Sequence, residues 1–164
     1  MIWLEKAKSY LGLSEVPGKE HNSKIIGWWK AIKSAFRDDE TPWCAAFVGG
    51  VLEECGIKSS RSAAARSYLR WGFPLGGPAV GAIVVFWRNS PHGSAGHVGF
   101  VVGKDETGNL MVLGGNQGNK VSIASFSPMR VLDFRWPEAK NLPCCSWENL
   151  PLIESKGKLS TNEA

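Results

Sequence analysis

The stretch TPWCAAFVGG, residues 41–50, sets the centre of the fold. Its apolar residues recur at the three- and four-residue spacing of a buried helix that continues to Cys55. Thr41 is a suitable N-cap, and Pro42 suits the first helical position, where a missing N–H does no harm. These assignments place Cys44 at the third helical position, inside the first turn. The predicted apolar stripe consists of Cys44, Phe47, Val48, Val51, Leu52 and Cys55.

Cys44 has two interpretations in this context. The unpaired backbone N–H groups and the positive dipole end of a helix favour a thiolate, which is typical of a nucleophilic cysteine. The charges of Asp38, Asp39 and Glu40 just before it oppose a thiolate. Because Cys44 also lies on the apolar stripe, it can instead be a small core residue, and this helix taken alone favours that interpretation. We assign Cys55, three turns further along, to packing alone.

Helical patterns fill the first half of the chain, and strand patterns fill the second half. Helices followed by antiparallel strands predict an α+β fold. Residues 1–137 carry these patterns and form one expected domain, while residues 138–164 are expected to be a partly ordered tail. The predicted helices run from Trp3 to Gly12, after the cap Asn22, from Thr41, and from Ser62 to Gly72. The predicted strands lie within residues 81–87, 97–103, 109–115, 120–126 and 129–136.

Composition narrows the classes of function. A net charge of +4 over 164 residues gives no indication of nucleic-acid binding. No apolar run approaches the ~20 residues of a membrane span, so no membrane insertion is expected. The opening MIWLEKAKSYLG carries charges within its apolar stretch and is not a signal peptide, which predicts synthesis in a cytoplasm without export by this route. Eight tryptophans suggest a cleft with aromatic walls that suits a sugar or a peptide.

A nucleophilic thiol needs a general base and a group that orients the base. The chain has three histidines, and His97 is the best placed because it begins a predicted strand, whereas His21 and His92 lie in loops. Asn116 follows the next predicted strand and can accept a hydrogen bond from a ring nitrogen. The alternative for Asn116 is an ordinary turn residue.

These residues stand within an ordered set of motifs that resembles a known family. The motifs are ETPWCAAFVGGVLEECGI, SAAARSYLRWG, GAIVVFWR, GHVGFVVG, LGGNQGNKVSI and RVLDFRWP. In this order they resemble the cysteine, histidine-dependent amidohydrolase/peptidase (CHAP) family, in a branch found in phage lysins and prophages. The resemblance covers residues 1–137 and implies a papain-like fold, with the nucleophile at a helix N-terminus packed on an antiparallel sheet. It also implies cleavage of amide bonds in bacterial peptidoglycan.

The resemblance also implies roles for single residues. Cys44 matches the family nucleophile, His97 its base and Asn116 a polar third residue. Many relatives carry a glutamate two positions before that asparagine, but this chain has Gly114 there, so the third residue is Asn116 or none. Some relatives bind calcium through acids before the cysteine, but RDDE lacks the expected spacing, so we expect no metal and no cofactor. Three flanking residues are expected to line the substrate cleft: Glu40, Trp43 and Gln117.

The expected function is therefore a peptidoglycan hydrolase, in the form of a phage endolysin. It would act as a monomer, be made in the host cytoplasm and reach the cell wall after release. An interbacterial toxin with the same chemistry is a second hypothesis, and a non-catalytic wall-binding module is a third. Zinc binding is disfavoured because His92 and His97 are poorly spaced for one site, and the adjacent Cys144 and Cys145 are strained as a ligand pair.

Overall fold

The computed structural model describes residues 1–155 and confirms the α+β fold, with helices packed on a six-stranded antiparallel sheet. The order of strands across the sheet is β1-β6-β2-β3-β4-β5. The helices are α1 (Ile2–Lys8), α2 (Ser23–Ala31) and α3 (Cys44–Glu54). The strands are β1 (Phe73–Pro74), β2 (Ile83–Trp87), β3 (Gly96–Lys104), β4 (Leu110–Gly114), β5 (Ser122–Phe126) and β6 (Val131–Trp136).

Helix α3 occupies the centre of the molecule. Every residue from Cys44 to Leu52 is buried, so the helix is covered on all sides and not only along the predicted stripe. Two glycines allow α2 to pack closely against it. A Cβ at Gly50 would overlap the side chain of Trp28, and a Cβ at Gly49 would overlap that of Ile32. The close approach of α2 holds α3 in place against the sheet.

The sheet carries an apolar cluster on each face, because side chains alternate along each strand. The face toward the helices includes Val98 and Phe100 of β3. The opposite face includes Phe86 of β2 and Phe126 of β5. Strand β3 contributes to both clusters, because its Val101 belongs to the second one.

Some predicted boundaries differ from the observed ones. Asn22 caps α2 as expected, since its side chain accepts a hydrogen bond from Lys24 N at 2.8 Å. The predicted fourth helix is a short 3-10 helix, Ala65–Arg70, and Gly72 follows it with φ of +64°. The first helix ends at Lys8 and continues as turns to Gly12.

Part of the segment predicted as a tail packs on the sheet. Leu150 is buried in the cluster on the face away from the helices. Lys104, at the end of β3, donates from its backbone N–H to Pro151 O and accepts from Ile153 N. Residues 156–164, the end of the predicted tail, lie outside the described residues. Within residues 1–155, no helix has both the length and the apolar character needed to cross a membrane.

The packing of α2 on α3 predicts opposite effects for two helical glycines. Gly50→Ala should destabilise the protein by about 1–3 kcal/mol, because the new methyl group overlaps Trp28. The control Gly27→Ala should stabilise it by about 0.5–1 kcal/mol, because Gly27 is exposed on α2 with no atom near its Cβ position. Urea denaturation measures both changes. Equal stability of the two variants would contradict this packing.

Candidate active site

Cys44 is the first residue of α3, and its sulfur lies against the start of β3. The backbone N–H groups of Val98 and Ala45 donate toward the sulfur. Val98 directly follows His97, so the helix N-terminus and the predicted base occupy neighbouring positions at one end of the sheet. Strand β3 pairs with β4 only from Phe100 onward, which lets the sulfur approach the edge of β3 at Val98.

The position of Cys44 within the helix differs from the prediction. The helix begins at Cys44, with Trp43 as the N-cap residue, so Cys44 is the first and not the third helical residue. Thr41 does not cap the helix. Its backbone N–H and its hydroxyl both donate to the Asp38 carboxylate, at 2.6 and 3.0 Å. The carboxylate of Asp38 therefore stabilises the turn that precedes α3.

The environment of the Cys44 thiol acts on its pKa in two directions. The residue is only 5% exposed, and burial raises the pKa of the Cys44 thiol above its usual value. The N–H groups of Val98 and Ala45, together with the charge of Arg88, act in the opposite direction. Burial is the largest of these causes, and the acids before Cys44 are not among them. The resting sulfur is therefore a thiol that needs a base to remove its proton.

His97 is fully buried, and two aromatic rings on the sheet face away from the helices hold its ring plane. The His97 ring stacks on Phe126 with centroids 5.3 Å apart and 14° between the planes. It also stacks on Phe86 at 6.4 Å and 25°. The ring is a side chain of a central strand, so its position is set by the sheet and by both aromatic neighbours.

Gln117 contacts the ring of His97 directly. Its Oε1 lies 2.9 Å from His97 Nε2, and its Nε2 donates to Ser122 O at 2.7 Å and to Val112 O at 3.2 Å. Only 2% of Gln117 is exposed. Gln117 is predicted from the sequence to line the substrate cleft, and that prediction does not include this contact with His97. A signal was present in the sequence, because Gly114 has no side chain and leaves space for the Gln117 amide.

Asn116 lies in the turn after β4 and is also buried. Its φ is +59°, a left-handed conformation that asparagine tolerates better than most residues. The next residue, Gln117, donates its backbone N–H to Lys120 O at 3.0 Å and completes the turn. The hydrogen bond to His97 Nε2 is thus made by the neighbour of Asn116, and the catalytic role of Asn116 itself stays a prediction.

Residues 36–116 match the family model of the CHAP domain. The chain carries a CHAP domain. The matched region includes α3 and β2 to β4, together with Cys44, His97 and Asn116, whereas Gln117 lies just beyond it. The family comprises cysteine- and histidine-dependent amidohydrolases and peptidases, so the chain belongs to a family of hydrolases. No curated protein matches the chain.

The residues predicted to line the cleft of this CHAP domain occupy different environments. Glu40 is exposed in the loop before α3. Trp43 is fully buried, where its Nε1 donates to Glu15 at 2.9 Å and its ring stacks on Trp28 with centroids 6.1 Å apart. Its position supports a role in core packing and gives no support to substrate contact. Of the three predicted cleft residues, Glu40 alone is exposed.

Two acids before Cys44 accept hydrogen bonds from backbone N–H groups. Asp39 is fully buried and accepts hydrogen bonds from Val16 N and Asn22 N, each at 2.7 Å. His21 Nδ1 lies 2.9 Å from the same carboxylate. Asp38 accepts from the backbone N–H groups of Glu40 and Thr41. Among residues 1–155, no group of three or more His, Cys, Asp or Glu side chains is arranged to hold a metal ion.

The loop that leads to His97 is tied down by Arg66. Its guanidinium donates to Ala95 O, Ser90 O and Pro91 O at 2.7–2.9 Å. The side chain of Arg66 thus donates hydrogen bonds to three carbonyl groups of one loop. His92 lies exposed in this same loop. Arg66 therefore fixes the backbone of this loop just before the start of β3.

The His21–Asp39 pair predicts a pH-dependent contribution to stability. Hydrogen bonding to Asp39 raises the pKa of His21 above 6.5, and the donors around Asp39 hold its pKa below 3.8. The His21 contribution is complete below pH 6.5 and is lost as the pH rises through the folded-state pKa, while the Asp39 contribution is lost as the pH falls through its own. His21→Ala should therefore destabilise the protein most between about pH 4 and 6.5.

Thermal unfolding of wild type and His21→Ala at several pH values measures this difference. His92→Ala is the matched control, because His92 is exposed, and it should have a small effect at every pH. A loss of stability in His21→Ala that is the same at pH 5 and pH 9 would rule out the ion pair as its cause.

Proposed function

We propose that this CHAP domain hydrolyses amide bonds of bacterial peptidoglycan, with Cys44 as nucleophile and His97 as general base. The observation that carries the proposal is the position of the Cys44 sulfur. It lies at the N-terminus of a buried helix and against the backbone of Val98, the residue next to His97. The family match supports amide hydrolysis by a cysteine and a histidine.

The proposed reaction begins with a proton transfer. The His97 imidazole takes the thiol proton as the sulfur attacks the amide carbonyl, which gives a tetrahedral intermediate with a negatively charged oxygen. Backbone N–H groups at the start of α3 are suited to stabilise that oxygen. The C–N bond then breaks, and the imidazolium gives its proton to the departing amine. A thioester remains on Cys44.

The second half of the reaction releases the enzyme. His97 takes a proton from a water molecule as its oxygen attacks the thioester carbonyl. The C–S bond breaks, the carboxylic acid leaves, and the sulfur regains its proton from the imidazolium. Because burial raises the pKa of the Cys44 thiol, the base is needed for the first step at neutral pH.

Peptidoglycan as substrate and a phage endolysin as biological role are supported by the ordered motifs that resemble the phage-lysin branch. Acyl transfer to a thiolate accounts equally well for cleavage within a stem peptide and for cleavage between muramic acid and the stem. The walls of the cleft, rather than Cys44 and His97, decide between these two bonds.

Removing either catalytic side chain should abolish turnover. Cys44→Ser and His97→Ala are each expected to reduce the loss of turbidity of purified peptidoglycan by about a thousandfold or more. Cys55→Ser is the matched control and should retain activity, because Cys55 lies at the other end of α3. Circular dichroism verifies that each variant is folded. Substantial lysis by folded Cys44→Ser would contradict the proposal.

The chemistry of the products tests the type of bond. Digested peptidoglycan should show new primary amines and no new reducing sugars, because an amide and not a glycosidic bond is cut. Mass spectrometry then distinguishes cut peptides that remain attached to sugar from whole stem peptides released from muramic acid. New reducing ends without new amines would show a different reaction and exclude the proposed mechanism.

A further inference from the structure

Two carbonyl groups fix the orientation of the Gln117 side-chain amide. Ser122 O and Val112 O can only accept hydrogen bonds, so the end of the amide that faces them at 2.7 and 3.2 Å must be the NH₂ group. Oxygen Oε1 is then the end that faces His97 Nε2 at 2.9 Å. An amide oxygen accepts and does not donate. The neutral His97 ring therefore carries its proton on Nε2.

We propose that Gln117, and not Asn116, is the residue that positions His97 for catalysis. The proposal rests on the function proposed above and assigns this side chain a place in the same site. By holding the proton on Nε2, Gln117 leaves Nδ1 as the basic nitrogen that receives the thiol proton of Cys44. It acts through His97 and does not contact the substrate.

Gly114 creates the space that Gln117 occupies. A Cβ at this position would overlap Oε1 of Gln117 and would lie 3.2 Å from His97 Nε2. The φ of Gly114 is not in the left-handed region, so its backbone conformation does not require glycine. The absence of a side chain at position 114 therefore serves the approach of the Gln117 amide to the ring.

An amide is better suited than a carboxylate to this position. A carboxylate at position 117 would place an oxygen against the carbonyls of Ser122 and Val112, where Gln117 now donates two hydrogen bonds. The amide also adds no negative charge beside the ring. Gln117 thus orients the His97 ring through a neutral group.

The first test uses the unmodified protein. ¹⁵N NMR of the histidine-labelled chain distinguishes the two neutral tautomers, and its three histidines are assigned with His21→Ala, His92→Ala and His97→Ala variants. At a pH where His97 is neutral, the His97 signals should be those of the Nε2–H tautomer. Signals of the Nδ1–H tautomer in wild type would overturn the proposal without any reference to activity.

Two variants remove the contact from opposite sides. Gln117→Met keeps the length of the side chain without its hydrogen bonds, and Gly114→Ala displaces the amide. Each should shift the tautomer ratio of His97 by about tenfold toward Nδ1–H, as expected for the loss of one buried hydrogen bond. Gly76→Ala is the control, because its Cβ position has open space around it, and should leave the ratio unchanged. An unchanged ratio in both folded variants would overturn the proposal.

Activity measurements separate positioning from substrate binding. On solubilised peptidoglycan fragments, Gln117→Met should lower kcat by at least about tenfold and leave KM nearly unchanged. A raised KM with an unchanged kcat would instead show that Gln117 binds substrate. Asn116→Ala should leave the Nε2–H tautomer in place, and its loss in that variant would assign the positioning role to Asn116.

The NMR result is independent of the substrate. If wild type shows the expected tautomer but no peptidoglycan is cut, the function proposed above fails while the assignment of Gln117 as the partner of His97 stands. If peptidoglycan is cut by Cys44 but the tautomer does not depend on Gln117, the positioning role fails while the function stands.

Discussion

The contact between the Cys44 sulfur and the start of β3 is the point on which the site depends. It joins the N-terminus of the most deeply buried helix to the strand that carries His97. A helix covered on all sides cannot move relative to the sheet without opening the core, because protein interiors are closely packed. Gly49 and Gly50 contribute to this rigidity from a distance, since they let α2 press α3 against the sheet.

His97, the second residue of the proposed site, lies on the face of the sheet away from the helices. Phe86 and Phe126 stack on the ring of His97, while Val98, the next residue, packs toward the helices. Because side chains alternate along β3, one residue of this strand packs toward the helices while its neighbour, His97, lies on the opposite face. The sulfur of Cys44 reaches the strand at its edge, where β4 does not yet pair with it. The site therefore depends on where the pairing of β3 with β4 ends, and not only on its side chains.

The residues around Cys44 show why polar residue types alone predict roles poorly. Asp38 and Asp39 precede a cysteine, which suggested an electrostatic effect on the thiol, but both carboxylates are engaged by backbone N–H groups. Trp43 stands next to Cys44 in the chain, yet its ring is buried in the core against Trp28. Helical and extended geometry turn successive side chains in different directions, so a neighbour in sequence need not be a neighbour in the site.

The sequence by itself determined the order of helices and strands. It also placed a cysteine near the start of one predicted helix and a histidine at the start of one predicted strand. Periodic apolar patterns carry that information, because a buried face requires an apolar residue about once per turn of a helix and at every second residue of a strand. Only the tertiary structure decided that α3 begins at Cys44 and that Gln117 meets the His97 ring. Asn116 and Gln117 are adjacent and both buried in a turn, and no periodicity indicates which of the two side chains contacts the His97 ring. The left-handed backbone at Asn116, the space at Gly114 and the carbonyls of Val112 and Ser122 decide it together.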